Sequence, residues 1–445
     1  MNVMPLLKDF LALRGNLNKS RSEIRILQDA KLRKLLRYAD EHSAYYHRRF
    51  QEAGISKDLL STLSLKAFPT MDKRELMEHF DDLVTDHQLT QASLRAFDEG
   101  NSQQKLFLDR YHIVHSSGST GMPQYFVYDE AAWGAMLAGV VRGALWGMGL
   151  LEVAKFLASR PRILYIAATD GRYGGAMAVG DGIEGVGAKQ LFLDINTPLP
   201  EWTRTVRNYQ PDMIIGYPSA IKILADLAQK ESLPLQLKRV VSCGEPLNPG
   251  MRKYLQETLH TEVINFYGAS ESLALGVEGA NDTNMTLFDD LNIIEVIDGE
   301  MYVTCLFNHV QPLIRYHITD HLTLCESEAG AFSHAELLLS RDEDMLWFEQ
   351  EDGKRDFLHP LAVEGFCLDG LTDYQFVQQE RDTFAMLAVA DEQNQKPIQH
   401  SMQEKMRKLL ADKHMDWVKF QIHFVHEIMP DHRTGKKKLI VRQAS

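Results

Sequence analysis

The sequence has few cysteines, no long apolar run and fewer basic than acidic residues. Its four cysteines, Cys243, Cys305, Cys325 and Cys367, form no Cys-x-x-Cys pair, so the sequence indicates neither a zinc site nor a disulfide framework. The stretch that comes closest to a membrane span, 131–153, is interrupted by Gly, Trp and Arg, which argues against a transmembrane helix. With 48 basic and 61 acidic residues the formal net charge is -13, which argues against general nucleic-acid binding.

The start of the chain also lacks the basic region, apolar core and cleavage site of a signal peptide. Together with the unpaired cysteines, this predicts a cytoplasmic protein. At 445 residues the chain is too long for one typical hydrophobic core, so two or more domains are expected.

A loop rich in serine and glycine is the most informative stretch. It follows a β-prone run at 111–114 and consists of Ser116, Ser117, Gly118, Ser119, Thr120 and Gly121. Such a loop exposes successive backbone N–H groups and hydroxyl donors, which suits a polyphosphate. It is not a Walker loop, because no Gly-Lys-Ser/Thr follows the required gap. An ordinary turn between strands is the alternative.

Strands and helices alternate downstream of this loop. Helical spacing of apolar residues predicts helices at 24–53 and 130–151, and Asp72 is the expected N-cap of another helix. The alternating part has apolar strand-like runs at 163–167, 190–193, 213–217, 239–242 and 262–266. Helical segments at 202–209, 219–230 and 249–259 lie between them. This order predicts an α/β fold with a mostly parallel sheet and helices on both faces.

The last third of the chain differs in character. Runs at 293–297, 301–304 and 322–324 predict antiparallel strands, with Asp298-Gly299 as a hairpin turn. The charged stretch 340–344 is typical of a linker, and about a hundred residues beyond it would make a small domain. That piece contains a strand at 383–389, a helix at 399–413, a strand at 420–425 and a basic loop at 433–438.

Two polar loops follow predicted parallel strands at their carboxyl ends, where ligands bind in open α/β sheets. The first contains Gly244, Glu245 and Pro246; the second contains Tyr267, Gly268, Ala269, Ser270 and Glu271. A carboxylate such as Glu271 beside a polyphosphate is a natural Mg²⁺ ligand. A surface acid at the start of a helix is the alternative.

Two further stretches carry charge. The segment 312–320 places Arg315 and Asp320 five residues apart, so Asp320 could bind sugar hydroxyls or form an ion pair with the arginine. Lys436 follows Gly435 in the basic loop, where it could serve as a mobile cation or belong to a solvated basic tail.

Taken together, these stretches resemble the adenylate-forming ligases. Within that family they resemble the phenylacetate–CoA ligase-like branch, which includes capsule-associated relatives and deazaflavin-coenzyme synthetases. The resemblance covers nearly the whole chain. It implies a large N-terminal α/β domain with a β-rich subdomain at 1–340, which binds ATP and the acid. A small mobile α+β C-terminal domain would follow at 341–445, with the hinge at Asp344.

The resemblance also implies roles for residues. Ser116 to Gly121 would hold the ATP β- and γ-phosphates, and Gly244, Glu245 and Pro246 would flank the adenine, with Tyr267 stacking nearby and Gly268 and Ala269 beside it. Ser270 would contact the α-phosphate, Glu271 would bind Mg²⁺, and Asp320 would bind the ribose. Arg341 would precede the hinge, and Lys436 would reach the site from the small domain. The acid pocket would be lined by Tyr173, Gly174, Gly175, Gly216, Tyr217, Ala269 and Gly276.

The reaction implied is attack of a carboxylate on the α-phosphorus of ATP with release of pyrophosphate. Small and aromatic lining residues favour an aryl or apolar acyl acid. The acceptor stays open between CoA, the phosphopantetheine thiol of an acyl-carrier protein, and an amine, because 345–354 lacks the Arg-Gly usual in thioester-forming relatives. Two other hypotheses are AMP transfer to a hydroxyl, as in the deazaflavin synthetases, and a non-catalytic nucleotide-binding relative. The sequence also leaves open whether the protein forms a homodimer.

Overall fold

A computed structural model describes residues 3–100, 105–115, 124–167, 174–194, 197, 199–231, 233–325, 330–341, 346–350, 355–358, 363, 368, 370–412, 415–429 and 438–442. The chain divides into two compact units. The first comprises Met1–Glu245 and Leu255–Leu337, and the second comprises Pro246–Tyr254 and Leu338–Ser445. None of the described helices is long and apolar enough to cross a membrane. The division into domains 1–340 and 341–445 stays a prediction.

Helices form the N-terminal part. They are α1 (Val3–Gly15), α2 (Arg21–His42), α3 (Ala44–Glu52), α4 (Lys73–Glu78), α5 (Phe80–Leu83) and α6 (Gln91–Glu99). Asp72 caps α4 as predicted, because its carboxylate accepts a hydrogen bond from the Glu75 N–H. The helix predicted at 24–53 is two helices. Ser43 has extended backbone and its hydroxyl accepts from the Tyr46 N–H, which ends α2 and caps α3.

A two-stranded antiparallel sheet flanks the serine- and glycine-rich loop. Strand β1 (Tyr111–His115) pairs with β2 (Tyr125–Asp129), and His115 lies opposite Tyr125. The loop itself, 116–123, lies outside the described residues. The helix predicted at 130–151 is again two helices, α7 (Glu130–Ala144) and α8 (Leu150–Ala158). Gly147 interrupts them with a φ of 80°, a conformation that favours glycine.

A nine-stranded mixed sheet dominates the first unit. Its strands are β3 (Arg162–Ala167), β4 (Lys189–Asp194), β5 (Met213–Gly216), β6 (Arg239–Cys243), β7 (Val263–Ala269), β8 (Ser272–Glu278), β9 (Met285–Leu287), β13 (Asp320–Leu324) and β14 (His334–Arg341). The order is β13-β14-β9-β8-β7-β6-β5-β3-β4. The intervening helices are α9 (Gly174–Gly185), α10 (Leu199–Tyr209), α11 (Pro218–Lys230) and α12 (Pro249–Leu259).

The predicted alternation is confirmed in this sheet, although the glycine-rich composition of 171–187 does not predict α9. Strands β4, β3, β5, β6 and β7 are parallel, with apolar runs that are buried in β3 and β5. The sheet then becomes antiparallel at β8 and β9. A parallel partner needs a crossover of a dozen or more residues, and the β7–β8 connection is only the turn Ser270-Glu271.

A smaller antiparallel sheet follows. It contains β10 (Asn292–Ile297), β11 (Glu300–Cys305) and β12 (Tyr316–Ile318) in that order. The hairpin turn predicted at Asp298-Gly299 is confirmed, with φ values of 53° and 85° at the two positions. The strand predicted at 322–324 lies within β13, which belongs to the large sheet rather than to this one.

The second unit has a sheet and a core of its own. A hairpin of β15 (Leu346–Glu349) and β16 (Arg355–Leu358) precedes a four-stranded sheet. Strands β17 (Leu371–Gln378), β18 (Thr383–Ala390), β19 (Lys419–Phe424) and β20 (Ile440–Arg442) form this sheet, and α13 (Glu392–Asp412) connects β18 to β19. Buried aromatic and methionine side chains fill the core, among them Phe376, Phe384, Met386, Met402 and Met406.

Candidate active site

The carboxyl ends of the parallel strands bring several predicted site residues to one edge of the large sheet. Gly216, the last residue of β5, pairs with Ile166 of β3 and Ser242 of β6. Cys243 at the end of β6 pairs with Phe266 of β7. The loops that follow these strands therefore begin side by side, at the edge where ligands bind in open α/β sheets.

Tyr217 and Gly244 are in contact at this edge. Gly244 has a φ of 77°, and a Cβ there would lie 2.7 Å from the Tyr217 ring. A Cβ on Gly216 would lie 2.0 Å from the Ile166 carbonyl oxygen. Both glycines thus permit close backbone packing that a side chain would block. The loop predicted to flank adenine lies directly against a tyrosine predicted to line the acid pocket.

Glu245 holds the start of a helix. Its carboxylate accepts a hydrogen bond from the Ser219 N–H, 3.2 Å away, in the first turn of α11. This contact gives the side chain a capping role. Pro246, which follows, is the first residue of the segment assigned to the second unit.

The predicted Mg²⁺ ligand lies in a tight turn. Ala269 pairs with Ser272, so Ser270 and Glu271 form the two-residue connection between β7 and β8. The alternative prediction, that Glu271 is an acid at the start of a helix, is wrong. Gly268 is packed so closely that a Cβ would lie 2.4 Å from the Leu273 carbonyl oxygen. The turn therefore has a defined backbone path that presents a half-buried Glu271 side chain.

Tyr128 ties this turn to the strand that follows the serine- and glycine-rich loop. Its hydroxyl donates to the carbonyl oxygens of Ser270, at 3.0 Å, and Glu271, at 3.2 Å. Burial, with Cys305 and Glu271 nearby, raises the pKa of Tyr128 well above its ordinary value. The hydroxyl therefore stays protonated and remains a donor.

A second tyrosine lies near the turn. The Gln124 side-chain amide, directly after the loop, donates to the Tyr316 hydroxyl over 3.0 Å. Burial and the charge of Glu271 raise the pKa of Tyr316, which places Tyr316 within electrostatic range of that carboxylate.

Two buried side-chain amides also hold strand β2. Gln311 accepts from the Val127 N–H at 2.7 Å, and Asn308 donates to the Val127 carbonyl at 2.9 Å.

The motifs predicted to bind adenine and ribose meet through one hydrogen bond. The Tyr267 hydroxyl donates to the Asp320 carboxylate over 2.9 Å. Tyr267 is near the end of β7 and Asp320 is the first residue of β13. These two residues, 53 positions apart, therefore form one unit at the sheet edge.

Arg315 does not pair with Asp320, so the ion pair considered from the sequence is wrong. Its guanidinium lies 2.9 Å from Glu295 and also donates to the carbonyls of Lys66 and Phe68. Arg315 has a φ of 50° and is buried, and the side chain of its partner Glu295 is 12% exposed. It fastens the extended segment before α4 to the smaller sheet, which is a structural role.

The glycines predicted to line the acid pocket lie in tight packing. A Cβ on Gly174 would lie 2.6 Å from Val114 of β1, and one on Gly175 would lie 3.2 Å from the Tyr165 hydroxyl. Gly276 pairs with Tyr267 across β7 and β8, and a Cβ there would approach the Thr286 carbonyl to 2.9 Å. The start of α9 thus reaches β1, beside the loop, and β3.

Several predicted site residues lie outside the described part of the chain. They are Ser116, Ser117, Gly118, Ser119, Thr120, Gly121, Tyr173, Asp344 and Lys436. Arg341 is the last residue of β14, and its side chain is likewise outside the description. Sequence reasoning missed Tyr128, Tyr316, Asn308 and Gln311, since their partners are far away in the chain.

The family model for AMP-binding enzymes matches residues 27–291. The chain belongs to this family. It is thus an adenylate-forming ligase, as the motifs predicted. The match includes the loop at 116–121, the Gly244 loop and the turn that carries Glu271. The α/β fold class predicted from the sequence is confirmed.

Curated relatives of this AMP-binding enzyme include phenylacetate–coenzyme A ligases. The Escherichia coli protein is 25% identical over 348 residues, which is 73% of this chain and 72% of that one. The Thermus thermophilus protein is 25% identical over 391 residues, 82% and 80% of the two chains. Among solved structures, 2-hydroxyisobutyryl-CoA ligase in the postadenylation state has a TM-score of 0.75 at 19% identity, covering 96% and 91%. This last likeness concerns the fold.

Proposed function

We propose that this enzyme activates a carboxylic acid with ATP and then transfers the acyl group to an acceptor. The observation that carries the proposal is the convergence at one sheet edge of the Glu271 turn, the Tyr267–Asp320 pair and strand β2. The turn and the Tyr267–Asp320 pair belong to motifs for which the sequence predicts ATP contacts, and β2 follows the loop predicted to bind the phosphates. Membership of the AMP-binding family supports the same reading.

In the proposed first step, a carboxylate oxygen of the acid attacks the α-phosphorus of ATP. The new bond gives acyl-AMP, and the bond to the bridging oxygen breaks so that pyrophosphate leaves. Both reactants are anionic, so positioning and charge compensation supply most of the catalysis. The half-buried carboxylate of Glu271 suits Mg²⁺, which favours one or two carboxylates plus phosphate oxygens and would offset the phosphate charge.

The chain's own groups would position ATP. We assign the phosphates to the backbone of 116–121, the α-phosphate to Ser270, and the ribose to Asp320. Tyr267 donates to Asp320, so one carboxylate oxygen is oriented before a ligand arrives. Gly244 offers a backbone position without a side chain, beside Tyr217.

The proposed acid is aryl or apolar acyl. The residues assigned to its pocket, Gly174, Gly175, Gly216 and Tyr217, offer small surfaces and one aromatic ring without an ionised group. Curated relatives are named for phenylacetate, which supports an aryl acid. We propose CoA as the acceptor on the same basis, with a carrier-protein thiol or an amine as outcomes that the product assay distinguishes. ATP and CoA are cytoplasmic metabolites, in keeping with action in the cytoplasm.

We assign two half-reactions to one mobile C-terminal domain. Lys436 would neutralise the α-phosphate during adenylation, and the domain would turn about Asp344 to admit the acceptor. The second unit has its own hydrophobic core, which supports an independent domain.

Exchange of labelled pyrophosphate into ATP tests the proposal. The protein is incubated with ATP, Mg²⁺ and a panel of aryl and apolar acyl acids. We expect exchange only when a suitable acid is present, and acyl-CoA when CoA is added. A panel without any exchange, on protein that binds ATP, would overturn the proposal. Exchange that requires an alcohol or phenol instead of an acid would indicate AMP transfer to a hydroxyl.

A further inference from the structure

An apolar crevice lies beneath helix α9, away from the residues assigned to ATP. Its volume is about 40 Å³, and it lies between α7, α8, α9 and strands β3 and β5. Every residue that lines the crevice is apolar or glycine, among them Ile163, Ile215, Ala178, Val179 and Gly182. A volume of this size has room for about three water-sized groups. An apolar crevice suits methylene groups rather than water.

Tyr165 is the next residue along the same face of β3. Side chains two positions apart in a strand point to the same face, so Tyr165 follows Ile163 towards the carboxyl edge. In the parallel register Tyr165 lies beside Ile215, a wall of the crevice. The ring therefore stands one step beyond the crevice, in the direction of Gly216 and Tyr217.

The hydroxyl of Tyr165 reaches the start of helix α9. It lies 3.2 Å from the position of a Cβ on Gly175. Gly175 is in the first turn of α9, one turn before Ala178 and Val179, which line the crevice. Tyr165 thus lies between the crevice and the glycines assigned to the acid pocket, which are Gly216 at the end of strand β5 and Gly175 at the start of helix α9.

The environment of Tyr165 suits a wall rather than a reacting group. The residue is 3% exposed, and its ring packs edge-on against Phe192 at 5.4 Å. Burial, with Cys243 and Tyr217 nearby, raises the pKa of Tyr165 well above its ordinary value. The phenol is therefore neutral and faces the space at the start of α9.

We propose that Tyr165 sets the depth of the acid pocket and restricts the enzyme to compact acids, aryl or short acyl. The ring blocks the crevice that would otherwise accept the distal methylenes of a longer chain. This inference rests on the proposed function, since it assigns the substrate size of the same site.

The test compares Tyr165→Ala with Tyr165→Phe, which keeps the ring and loses only the hydroxyl. Pyrophosphate exchange is measured with straight-chain acids from butanoate to decanoate and with phenylacetate. We expect Tyr165→Ala to raise kcat/KM for the longer acids, relative to phenylacetate, by roughly tenfold or more. Tyr165→Phe should keep the wild-type profile.

A second variant refills the crevice. A Cβ on Gly182 would meet Val141 at 3.8 Å and Leu137 at 4.0 Å, which are ordinary van der Waals distances, so Gly182→Val starts a side chain at the crevice wall without a clash at its first atom. In the Tyr165→Ala background it should abolish the gain for longer acids. Calorimetric binding of octanoate to the same proteins gives a readout that needs no catalysis, and binding should appear in Tyr165→Ala and disappear in the double variant.

The outcomes separate this inference from the proposed function. A Tyr165→Ala enzyme with the wild-type chain-length profile and no octanoate binding overturns the inference while the function stands. If none of the tested acids supports pyrophosphate exchange by the wild-type protein, both the inference and the proposed function are overturned. A gain that persists after Gly182→Val also overturns the inference, because the added methylenes would then lie elsewhere.

Discussion

Removing the Tyr128 hydroxyl tests whether the turn that carries Glu271 is positioned from strand β2. The hydroxyl has one proton, shared between the carbonyls of Ser270 at 3.0 Å and Glu271 at 3.2 Å. Tyr128→Phe therefore removes one hydrogen bond in a site without exposure to solvent. Leaving buried acceptors without their donor costs about 1–2 kcal/mol.

If that free energy holds the turn in its binding geometry, the effect appears in the Mg²⁺ dependence. A difference of about 1.4 kcal/mol corresponds to a factor of ten in an equilibrium constant. We therefore expect Tyr128→Phe to need roughly tenfold more Mg²⁺ for half-maximal pyrophosphate exchange, at saturating ATP and acid. The rate at saturating Mg²⁺ should recover most of the wild-type value.

Tyr111→Phe is the matched control. Tyr111 is buried on the partner strand β1, and its hydroxyl donates to Asp86 over 2.6 Å, away from the turn. Its loss should lower stability in urea without changing the Mg²⁺ requirement. A Tyr128→Phe enzyme with wild-type Mg²⁺ dependence would refute the positioning role, and so would an equal shift in both variants.

Four other predictions address the site and its frame. Glu271→Gln should reduce pyrophosphate exchange by roughly a hundredfold or more with an unchanged circular dichroism spectrum; near-normal exchange at saturating Mg²⁺ would remove its assigned role. Lys436→Ala should impair adenylation but spare transfer from supplied acyl-adenylate, and unimpaired adenylation would indicate a solvated basic tail. Arg315→Met leaves the largely buried Glu295 carboxylate without its partner and should lower the free energy of unfolding by about 3–5 kcal/mol; a urea titration showing a loss below about 1 kcal/mol would contradict this. Burial lowers the pKa of His112 below 6.5, partly offset by nearby carboxylates. As pH falls, His112 therefore binds a proton in the unfolded chain before it does so in the folded protein. The free energy of unfolding should decrease as pH drops through 6.5, and it should decrease less steeply in His112→Asn. Equal pH dependence of the free energy of unfolding in the two proteins would contradict this.

Local patterns in the sequence predicted the parallel half of the large sheet. Apolar runs in β3 and β5 are buried strands, because strands covered on both faces need little alternation. The Asp298-Gly299 turn was predictable because positive φ at two successive positions favours these residue types. Breaks inside the predicted long helices, at Ser43 and Gly147, were missed because helical periodicity continues across them.

Motif order alone pointed to the adenylate-forming family, and each motif is contained in a short stretch. Which side chains of these motifs pair with one another could not be predicted from the sequence in the same way. The sequence suggested an ion pair between Arg315 and Asp320, whereas the structure pairs Arg315 with Glu295 and Asp320 with Tyr267. Proximity along the chain was a poor guide, because Arg315 directly precedes β12 of the smaller sheet, whereas Asp320 begins β13 of the large sheet.

The contacts that frame the site join residues far apart in sequence. Tyr128 reaches Ser270 across 142 positions, and Gln124 reaches Tyr316 across 192. Periodicity, caps and turns are decided by interactions within a few residues, so the sequence by itself determined the elements and the order of the motifs. Which hydroxyl meets which carbonyl, and which ring closes which crevice, depends on strand order and register. Those follow from packing of the whole unit, so only the tertiary structure decided them.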